Sequence, residues 1–265
     1  MQPTIDLNSD MGEGYGVYRA GDDEALLDVV TSANVACGFH AGDPEIMART
    51  FETARERGVN VGAHPGFPDL WGFGRRAMPF SPAEIERLVA YQIGAAQALS
   101  AYAGNPITYV KAHGALGNLT EPREDIATAV CRAVKAVDRN LICMSFSGGT
   151  LLRVAQDMGL QTCAEIFADR GYTDEGRLVP RGQPGAMIHD PEAAAARALR
   201  MVQSGAVESI SGKQVKLPIE TICIHGDSPE AVATARLVRQ TLEGAEIRIA
   251  SFVPAGSRRQ QPEKI

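Results

Sequence analysis

Residues 59–66 read Val59-Asn60-Val61-Gly62-Ala63-His64-Pro65-Gly66, a short apolar run that ends at a histidine in a glycine-containing turn. Apolar runs of this length, bounded by Gly, Asn or His, are typical of buried strands. The pattern recurs along the whole chain. We therefore predict strands at residues 4–7, 34–37, 59–63, 107–112, 141–146, 162–166, 221–225 and 247–252.

The segments between these strands have helical periodicity, which is clearest over residues 81–103. Ser81 and Glu84 have the spacing of a capping box, and Pro82 suits the first helical turn. Gly104 stands where a left-handed C-cap is expected. The same start and end signals recur at Asp43-Pro44, Asp190-Pro191, Ser228-Pro229, Gly58 and Gly244.

Strands that alternate with helices and are apolar on both faces predict a parallel sheet, either open and doubly wound or closed into a barrel. Seven or eight such units in 265 residues favour the barrel. We therefore expect an α/β fold, a (β/α) barrel of seven or eight parallel strands. Residues 1–254 are predicted to form a single barrel domain, and residues 255–265 a polar C-terminal tail.

The composition excludes several classes of protein. A net charge of -6 opposes binding to nucleic acid, and no apolar run approaches the ~20 residues of a membrane span. The N-terminus has no basic segment followed by an apolar stretch, as a signal peptide would. The five cysteines form no C-x-x-C pair, which fits buried reduced thiols. These features predict a cytoplasmic protein without membrane or nucleic-acid partners.

Four of the five histidines come at or just after the end of a predicted strand, in glycine-rich turns. Parallel strands bring such positions to one rim, which is where barrel enzymes place their active sites. Asp43 and Asp227 have competing roles as N-cap and turn residue, and His189 precedes a helix, which favours a structural role. The predicted rim residues are His40, His64, His113, His225, Asp10, Glu13, Asp43, Asp69, Asp227 and Lys111.

Histidines mixed with carboxylates suit two chemistries. In one, a metal ion activates water, with Asp10, His40 and His64 as candidate ligands; in the other, the same groups perform metal-free acid–base catalysis. Sequence spacing leaves both open. No H-E-x-x-H, G-x-S-x-G, phosphate-loop or dinucleotide motif is present. Three arginines are predicted to bind a substrate carboxylate, with surface solvation as the alternative: Arg75, Arg76 and Arg170.

The chain closely resembles the LamB/YcsF family of 5-oxoprolinase A subunits from about residue 4 to residue 254. One motif departs from the usual family pattern, VKPHGALYN, because this chain has Ala112 and Gly117 in place of the proline and the tyrosine. Loss of these two residues is expected to affect substrate fit. The motifs that carry the resemblance are residues 6–13 (DLNSDMGE), 32–44 (SANVACGFHAGDP), 62–69 (GAHPGFPD), 72–76 (GFGRR), 165–170 (EIFADR) and 223–227 (CIHGD).

The resemblance implies ATP-dependent opening of 5-oxo-L-proline to L-glutamate, on a barrel related to glycoside hydrolases and deacetylases. It also implies two partners, the B and C subunits, and ATP that is bound or used together with them. On this basis His64 or His113 is the predicted general base, Asp10 and Glu13 orient it, and Lys111 stabilises negative charge. His40 and His225 complete the predicted catalytic set, and Asn8, Arg75, Arg76, Arg170 and Asp227 are predicted to bind substrate.

Two other functions remain open at this point. The first is a stand-alone, metal-dependent deacetylase or amidohydrolase that uses Asp10, His40 and His64 as ligands. The second is a non-catalytic subunit that only presents 5-oxoproline to a catalytic partner. In that case the histidines recognise the ligand and transfer no proton.

Overall fold

The central feature of the computed structural model, which describes residues 2–226 and 230–253, is a closed ring of seven parallel strands. The predicted tail and Asp227 lie outside the described residues. In the ring β1, β2, β3, β4, β5, β6 and β9 follow one another, and β9 pairs with β1. The predicted barrel is therefore confirmed, with seven strands in the ring. The strands are β1 (Thr4–Met11), β2 (Ser32–Ala36), β3 (Asn60–His64), β4 (Tyr109–Lys111), β5 (Ile142–Phe146), β6 (Thr162–Phe167), β7 (Ala206–Glu208), β8 (Gln214–Lys216), β9 (Thr221–Cys223) and β10 (Arg248–Ile249).

Helices connect the strands, and several of their ends follow the sequence signals, while the start signal predicted at Ser228-Pro229 lies outside the described residues. The capping box of Ser81 and Glu84 forms, and Gly104 has a φ of 72°. The last helix ends at Gly244, but the left-handed residue after it is Glu246. Among the described helices, none is both long and apolar enough to cross a bilayer. They are α1 (Asp23–Leu27), α2 (Pro44–Glu56), α3 (Pro82–Tyr102), α4 (Gly114–Leu119), α5 (Glu124–Asp138), α6 (Thr150–Asp157), α7 (Pro191–Ser204) and α8 (Ala231–Gly244).

The eighth predicted strand, at 247–252, does not join the ring. Only the two residues of β10 are extended, and they pair in parallel with the first residues of β1. The chain then places Phe252 edge-on against Tyr109, with ring centroids 5.2 Å apart, and Val253 in the same small apolar cluster. This segment thus covers the barrel at the end opposite the C-terminal ends of the strands.

Side chains on the ring strands alternate between two environments. Leu7, Val35 and Val61 point outward into the main apolar core, which they share with Phe51 of α2 and Ile93 of α3. All five are fully buried. Burial of apolar surface between strands and helices contributes about 25 cal/mol per Å², so this layer is the principal source of stability.

The inward side chains are largely polar, which is unusual because barrel interiors are commonly filled by branched apolar residues. Asn8 donates to Thr221 at 2.8 Å, and Asn34 donates to Asn8 at 2.8 Å. Tyr109 donates its hydroxyl proton to Asn34 at 2.7 Å. Asp6 accepts from Thr221 and two other hydroxyls. These buried polar groups satisfy one another, as burial requires.

Gly62 makes room for the largest of these interior groups. A Cβ at Gly62 would overlap the ring of Tyr109, which is completely buried. Glycine is therefore needed at this position for its lack of a side chain, since Gly62 is not among the residues with positive φ. The apolar run of β3 contains this glycine because the barrel interior must hold the Tyr109 ring.

Candidate active site

A cavity of about 400 Å³ opens at the C-terminal ends of the ring strands. This volume lies in the range of small-molecule sites. The lining includes five of the predicted catalytic residues, Asp10, His64, Lys111, His113 and His225. The strands thus bring together side chains that are separated by more than two hundred residues in sequence, as predicted from their positions at strand ends.

Lys111 lies at the centre of a buried charge network. Its Nζ is 2.9 Å from Asp10 Oδ1 and 2.8 Å from Glu165 Oε1, and it also contacts the Cys223 sulfur at 3.2 Å. Burial opposes a charge on Lys111, but the Asp10 and Glu165 carboxylates hold its pKa well above the ordinary value. Burial likewise opposes ionisation of Asp10, but His64 and Lys111 hold the Asp10 pKa well below its usual range. The pair is therefore ionised inside the barrel mouth.

Asp10 occupies a different place from the one predicted. It lies within β1, which continues to Met11, whereas the sequence predicts an end at residue 7. The physical reason is the polar interior, because Asn8 and Asp10 face inward and are paired there by Asn34. Asn8, predicted to bind substrate, contacts Lys111 and Thr221 and is not among the cavity-lining residues.

Three imidazoles and one carboxylate form a compact cluster beside Lys111. His64 Nε2 lies 3.0 Å from His113 Nδ1 and 3.4 Å from Asp10 Oδ2. Glu13 Oε1 lies 3.4 Å from His113 Nδ1 and 3.3 Å from His40 Nε2. The rings of His40 and His113 are stacked with centroids 3.7 Å apart. The cluster and the adjoining Asp10 are all buried, so bulk water screens these contacts little.

Backbone groups hold the imidazoles in place. His64 Nδ1 lies 2.8 Å from the Lys111 carbonyl, and His113 Nε2 lies 2.7 Å from the Phe73 carbonyl. Burial and the neighbouring His113 lower the pKa of His40 well below its ordinary value, and burial and His64 lower the pKa of His113 to about 3. Both His40 and His113 therefore favour the neutral form that can accept a proton or bind a metal.

Glu13, His40, His64 and His113 each present one donor atom, and these atoms lie within 4.8 Å of one another. The cluster is thus a possible metal-binding site. It differs from the predicted ligand set because Glu13 and His113 take the place of Asp10, which is paired with Lys111.

His225 and two arginines form a second group of residues that line the cavity. His225 Nδ1 lies 2.7 Å from Asp169 Oδ2, and Arg181 donates to His225 Nε2 at 3.3 Å. Arg75 also lines the cavity, with its guanidinium 5.0 Å from the centre of the Phe73 ring. These cationic side chains suit recognition of a carboxylate.

The predicted arginines fall into three different environments. Arg75 and Arg170 line the cavity, whereas Arg76 is not among its lining residues and pairs with Asp69. Arg170 donates to the carbonyls of Ala186 at 3.1 Å and Val179 at 2.7 Å. Burial and Arg181 lower its pKa to about 10. Arg170 thus anchors the 170–187 segment that forms one side of the cavity.

Two of the predicted rim carboxylates have structural roles. Asp43 caps α2 by accepting from the backbone N–H groups of Glu45 at 2.9 Å and Ile46 at 3.0 Å. Asp69 accepts from the backbone N–H of Gly72 at 2.9 Å, in addition to its ion pair with an arginine. Neither Asp43 nor Asp69 is among the residues that line the cavity.

The two residues that depart from the family pattern lie against each other. A Cβ at Gly117 would come within 2.8 Å of the Ala112 carbonyl oxygen and 3.8 Å of the Ala112 Cβ. Any side chain at 117 would therefore crowd residue 112. Ala112 also lines the cavity, so this departure lies at the cavity wall.

Three residues that shape the site were not identified from the sequence. Glu165 lies in β6 and faces Lys111, and its only signal was a carboxylate inside an apolar run. Asp169 lies two residues after the end of β6 and contacts His225, so its position after a strand end could have identified it. Gln92 interrupts the buried face of α3 and bonds to both the N–H and the carbonyl of Gly66 at 2.9 Å.

The fold and the site define a parallel α/β barrel with a histidine–carboxylate cluster at the C-terminal ends of its strands. The chain belongs to the LamB/YcsF family, whose model matches residues 5–256. The resemblance predicted from the motifs is confirmed. The chain is 62% identical over 252 residues to the 5-oxoprolinase A subunit of Azorhizobium caulinodans, and the match covers 95% of this chain and 100% of that protein.

Two solved structures extend this comparison. The lactam utilization protein of Thermus thermophilus is 44% identical and superimposes with a TM-score of 0.90, covering 94% of this chain and 100% of its own. The catalytic domain of a peptidoglycan N-acetylglucosamine deacetylase from Eubacterium rectale is 13% identical with a TM-score of 0.50, covering 97% and 90%. The second likeness concerns the fold alone, and it agrees with the expected relation to deacetylase barrels.

Proposed function

We propose that this chain is the A subunit of a cytoplasmic 5-oxoprolinase, which opens 5-oxo-L-proline to L-glutamate together with the B and C subunits while ATP is hydrolysed. The observation that carries the proposal is the cavity in which Lys111 and Asp10 adjoin the histidine cluster and arginines complete the lining. Such a lining suits a small molecule with one carboxylate and one amide. The name of the Azorhizobium relative supports this substrate, and the five buried free cysteines support a reducing compartment.

The reaction adds water across a stable five-membered amide. The water oxygen bonds to the ring carbonyl carbon, the carbon–nitrogen bond breaks, and the proton from water goes to the departing nitrogen. Phosphorylation of the carbonyl oxygen by ATP would activate the amide, and a second water would then release phosphate. We assign the use of ATP to the complex of this chain with its partner subunits.

The contacts suggest a role for each polar group. Lys111 stabilises negative charge on the carbonyl oxygen, since it is a buried cation at the cavity. Asp10 and His64, 3.4 Å apart, take the proton from the attacking water and return it to the nitrogen. Arg75 and Arg181 bind the substrate carboxylate, and Asp169 orients Arg181 through His225.

The test is glutamate formation by the reconstituted three-subunit complex with ATP. Asp10→Asn is expected to lower kcat by about 100-fold or more, the usual contribution of a positioned acid or base. His113→Ala is expected to have a similar effect because His113 positions His64 through the 3.0 Å contact between their inner nitrogens. His189→Ala is the matched control because His189 is exposed and lies outside the 400 Å³ cavity. Near-normal turnover in both site variants would reject the proposal.

The possible metal-binding cluster supports one alternative function, a metal-dependent amidohydrolase that acts alone. Amide hydrolysis by this chain without ATP or partner subunits would favour that alternative. The second alternative is a subunit that only binds 5-oxoproline. In that case both site variants would weaken substrate binding and leave the maximum rate nearly unchanged.

A further inference from the structure

The outer nitrogens of His64 and His113 determine where their protons reside. Each outer nitrogen lies within hydrogen-bond distance of a backbone carbonyl, at 2.8 Å for His64 and 2.7 Å for His113. A carbonyl oxygen can only accept, so both outer nitrogens carry a hydrogen and donate it. In the neutral imidazoles, the two inner nitrogens therefore direct lone pairs at each other across 3.0 Å. A cation is needed between them.

A proton could bridge only this one pair of nitrogens, but four donor atoms converge on the same place. Glu13 Oε1 lies 3.4 Å from the inner nitrogen of His113 and 3.3 Å from Nε2 of His40. These two separations match the edges of a tetrahedron around a zinc-type ion, which are about 3.3–3.5 Å for bonds of about 2.0–2.1 Å. The 3.0 Å between His64 and His113 is slightly shorter than such an edge. We propose that Glu13, His40, His64 and His113 bind one divalent transition-metal ion.

The surroundings of the cluster have the features of a built metal site. Ligating histidines usually donate their second N–H to a carbonyl or carboxylate, which fixes the ring orientation, and His64 and His113 both do so. Imidazole donors favour zinc, copper, nickel or iron over magnesium or calcium. The cluster is buried, but His64 and His113 also line the cavity, so an ion there would be within reach of a small molecule.

A second group of possible ligands makes the assignment specific and testable. Asp10, Cys223 and His225 also bring donor atoms within 4.8 Å of one another. In that group, Lys111 already neutralises Asp10 at 2.9 Å and contacts Cys223. A fixed cation beside these donors repels a second cation, and we therefore assign the ion to the Glu13 cluster.

Metal binding does not depend on the proposed function, whereas the role of the ion does rest on it. A metal ion at this position would supply Lewis-acid activation of water at the cavity. Lys111 would remain the group that stabilises the carbonyl oxygen. With the ion bound, Asp10 alone would accept the proton, because the ion and the Lys111 carbonyl would engage both ring nitrogens of His64. Metal content can be measured without substrate, so a failed glutamate assay and a failed metal site are distinguishable.

The experiment uses the full-length chain, equilibrated with Zn²⁺ or Co²⁺ and desalted before elemental analysis. We expect one equivalent of metal in the unsubstituted protein, a visible Co²⁺ spectrum typical of four-coordinate geometry, and a higher Tm with metal than after chelation. Glu13→Gln and His113→Ala are expected to lose the bound equivalent. His225→Ala, the matched variant in the second group, is expected to keep it.

Three results would overturn the proposal. One is a folded, unsubstituted protein that retains no Zn²⁺ or Co²⁺, which would leave a shared proton between His64 and His113. Another is loss of the metal in His225→Ala with retention in His113→Ala. The third result comes from X-ray absorption of the zinc-loaded, unsubstituted protein, which does not depend on whether the cluster variants fold. Sulfur in the ligand shell would place the ion at Cys223 and overturn the proposal, whereas several imidazoles would support the cluster.

Discussion

Replacing Lys111 with methionine should destabilise the fold strongly, because it removes the one cation between two buried carboxylates. Asp10 and Glu165 each contact Lys111 Nζ, at 2.9 Å and 2.8 Å, so their contacting oxygens are at most about 5.7 Å apart. At an effective dielectric constant of about 20, two unit charges at that distance repel by about 3 kcal/mol. Breaking a buried ion pair from one side typically costs about 3–5 kcal/mol. We expect Lys111→Met to lower the free energy of unfolding by that amount.

Urea unfolding at pH 7.5, followed by circular dichroism, measures this loss. Lys111→Met combined with Glu165→Gln should recover at least half of it, because the double variant has one buried carboxylate fewer. The control is Lys216→Met, whose exposed ammonium donates to the Ser204 carbonyl, with an expected change within about 0.5 kcal/mol. A Lys111→Met protein within about 1 kcal/mol of the unsubstituted one, or a double variant no more stable than the single, would refute this account of the charge network.

Two further predictions concern the barrel interior. Gly62→Ala should lower the free energy of unfolding by about 1–3 kcal/mol, because the new methyl overlaps the Tyr109 ring. The control is Gly94→Ala in α3, where a Cβ meets nothing within 4 Å and the free energy of unfolding should rise by about 0.5–1 kcal/mol. Equal effects of the two substitutions in thermal melts would contradict this prediction. Burial raises the pKa of Asp6 from 3.8 to about 6, although the hydrogen bond from Thr221 lowers it. The contribution of protonated Asp6 to the free energy of unfolding is therefore present below pH 3.8 and is lost as the pH rises through 6. Asp6→Asn cannot ionise, and its stability relative to the unsubstituted protein should improve by up to about 3 kcal/mol between pH 4 and pH 8, as urea titrations at both pH values would show; parallel pH curves would speak against it.

The barrel could be predicted from the sequence because each ring strand is a short apolar run with its own boundary. The interior could not, because its side chains are polar for reasons that no local window contains. The stretch from Asn8 to Asp10 looks like a loop when it is read alone, and it becomes a strand once Asn34 and Thr221 arrive from distant parts of the chain to pair its side chains.

The same distinction applies to the candidate site, where positions at strand ends could be predicted but their contact partners could not. The four histidines were found because each follows a strand, and parallel strands share a rim. The partners that tune them could not be found, because contacts such as Lys111 with Glu165 or His225 with Asp169 depend on which strands are neighbours in the ring. Arg76 illustrates the opposite error, since a charged residue in a glycine-rich turn pairs with Asp69, seven residues earlier, and not with the cavity.

The hydrogen bonds of the barrel interior also impose a single direction of polarity from its mouth to its base. Asn8 Oδ1 accepts from Lys111 and Asn34, so its amide nitrogen must face Thr221, and the Thr221 hydroxyl must then donate to Asp6. Reversing either amide, Asn8 or Asn34, would set donor against donor at one of its ends and acceptor against acceptor at the other. A substitution at one of these interior positions is therefore tolerated only when the neighbouring side chains reorient with it. Related sequences should change these positions together or keep all of them unchanged.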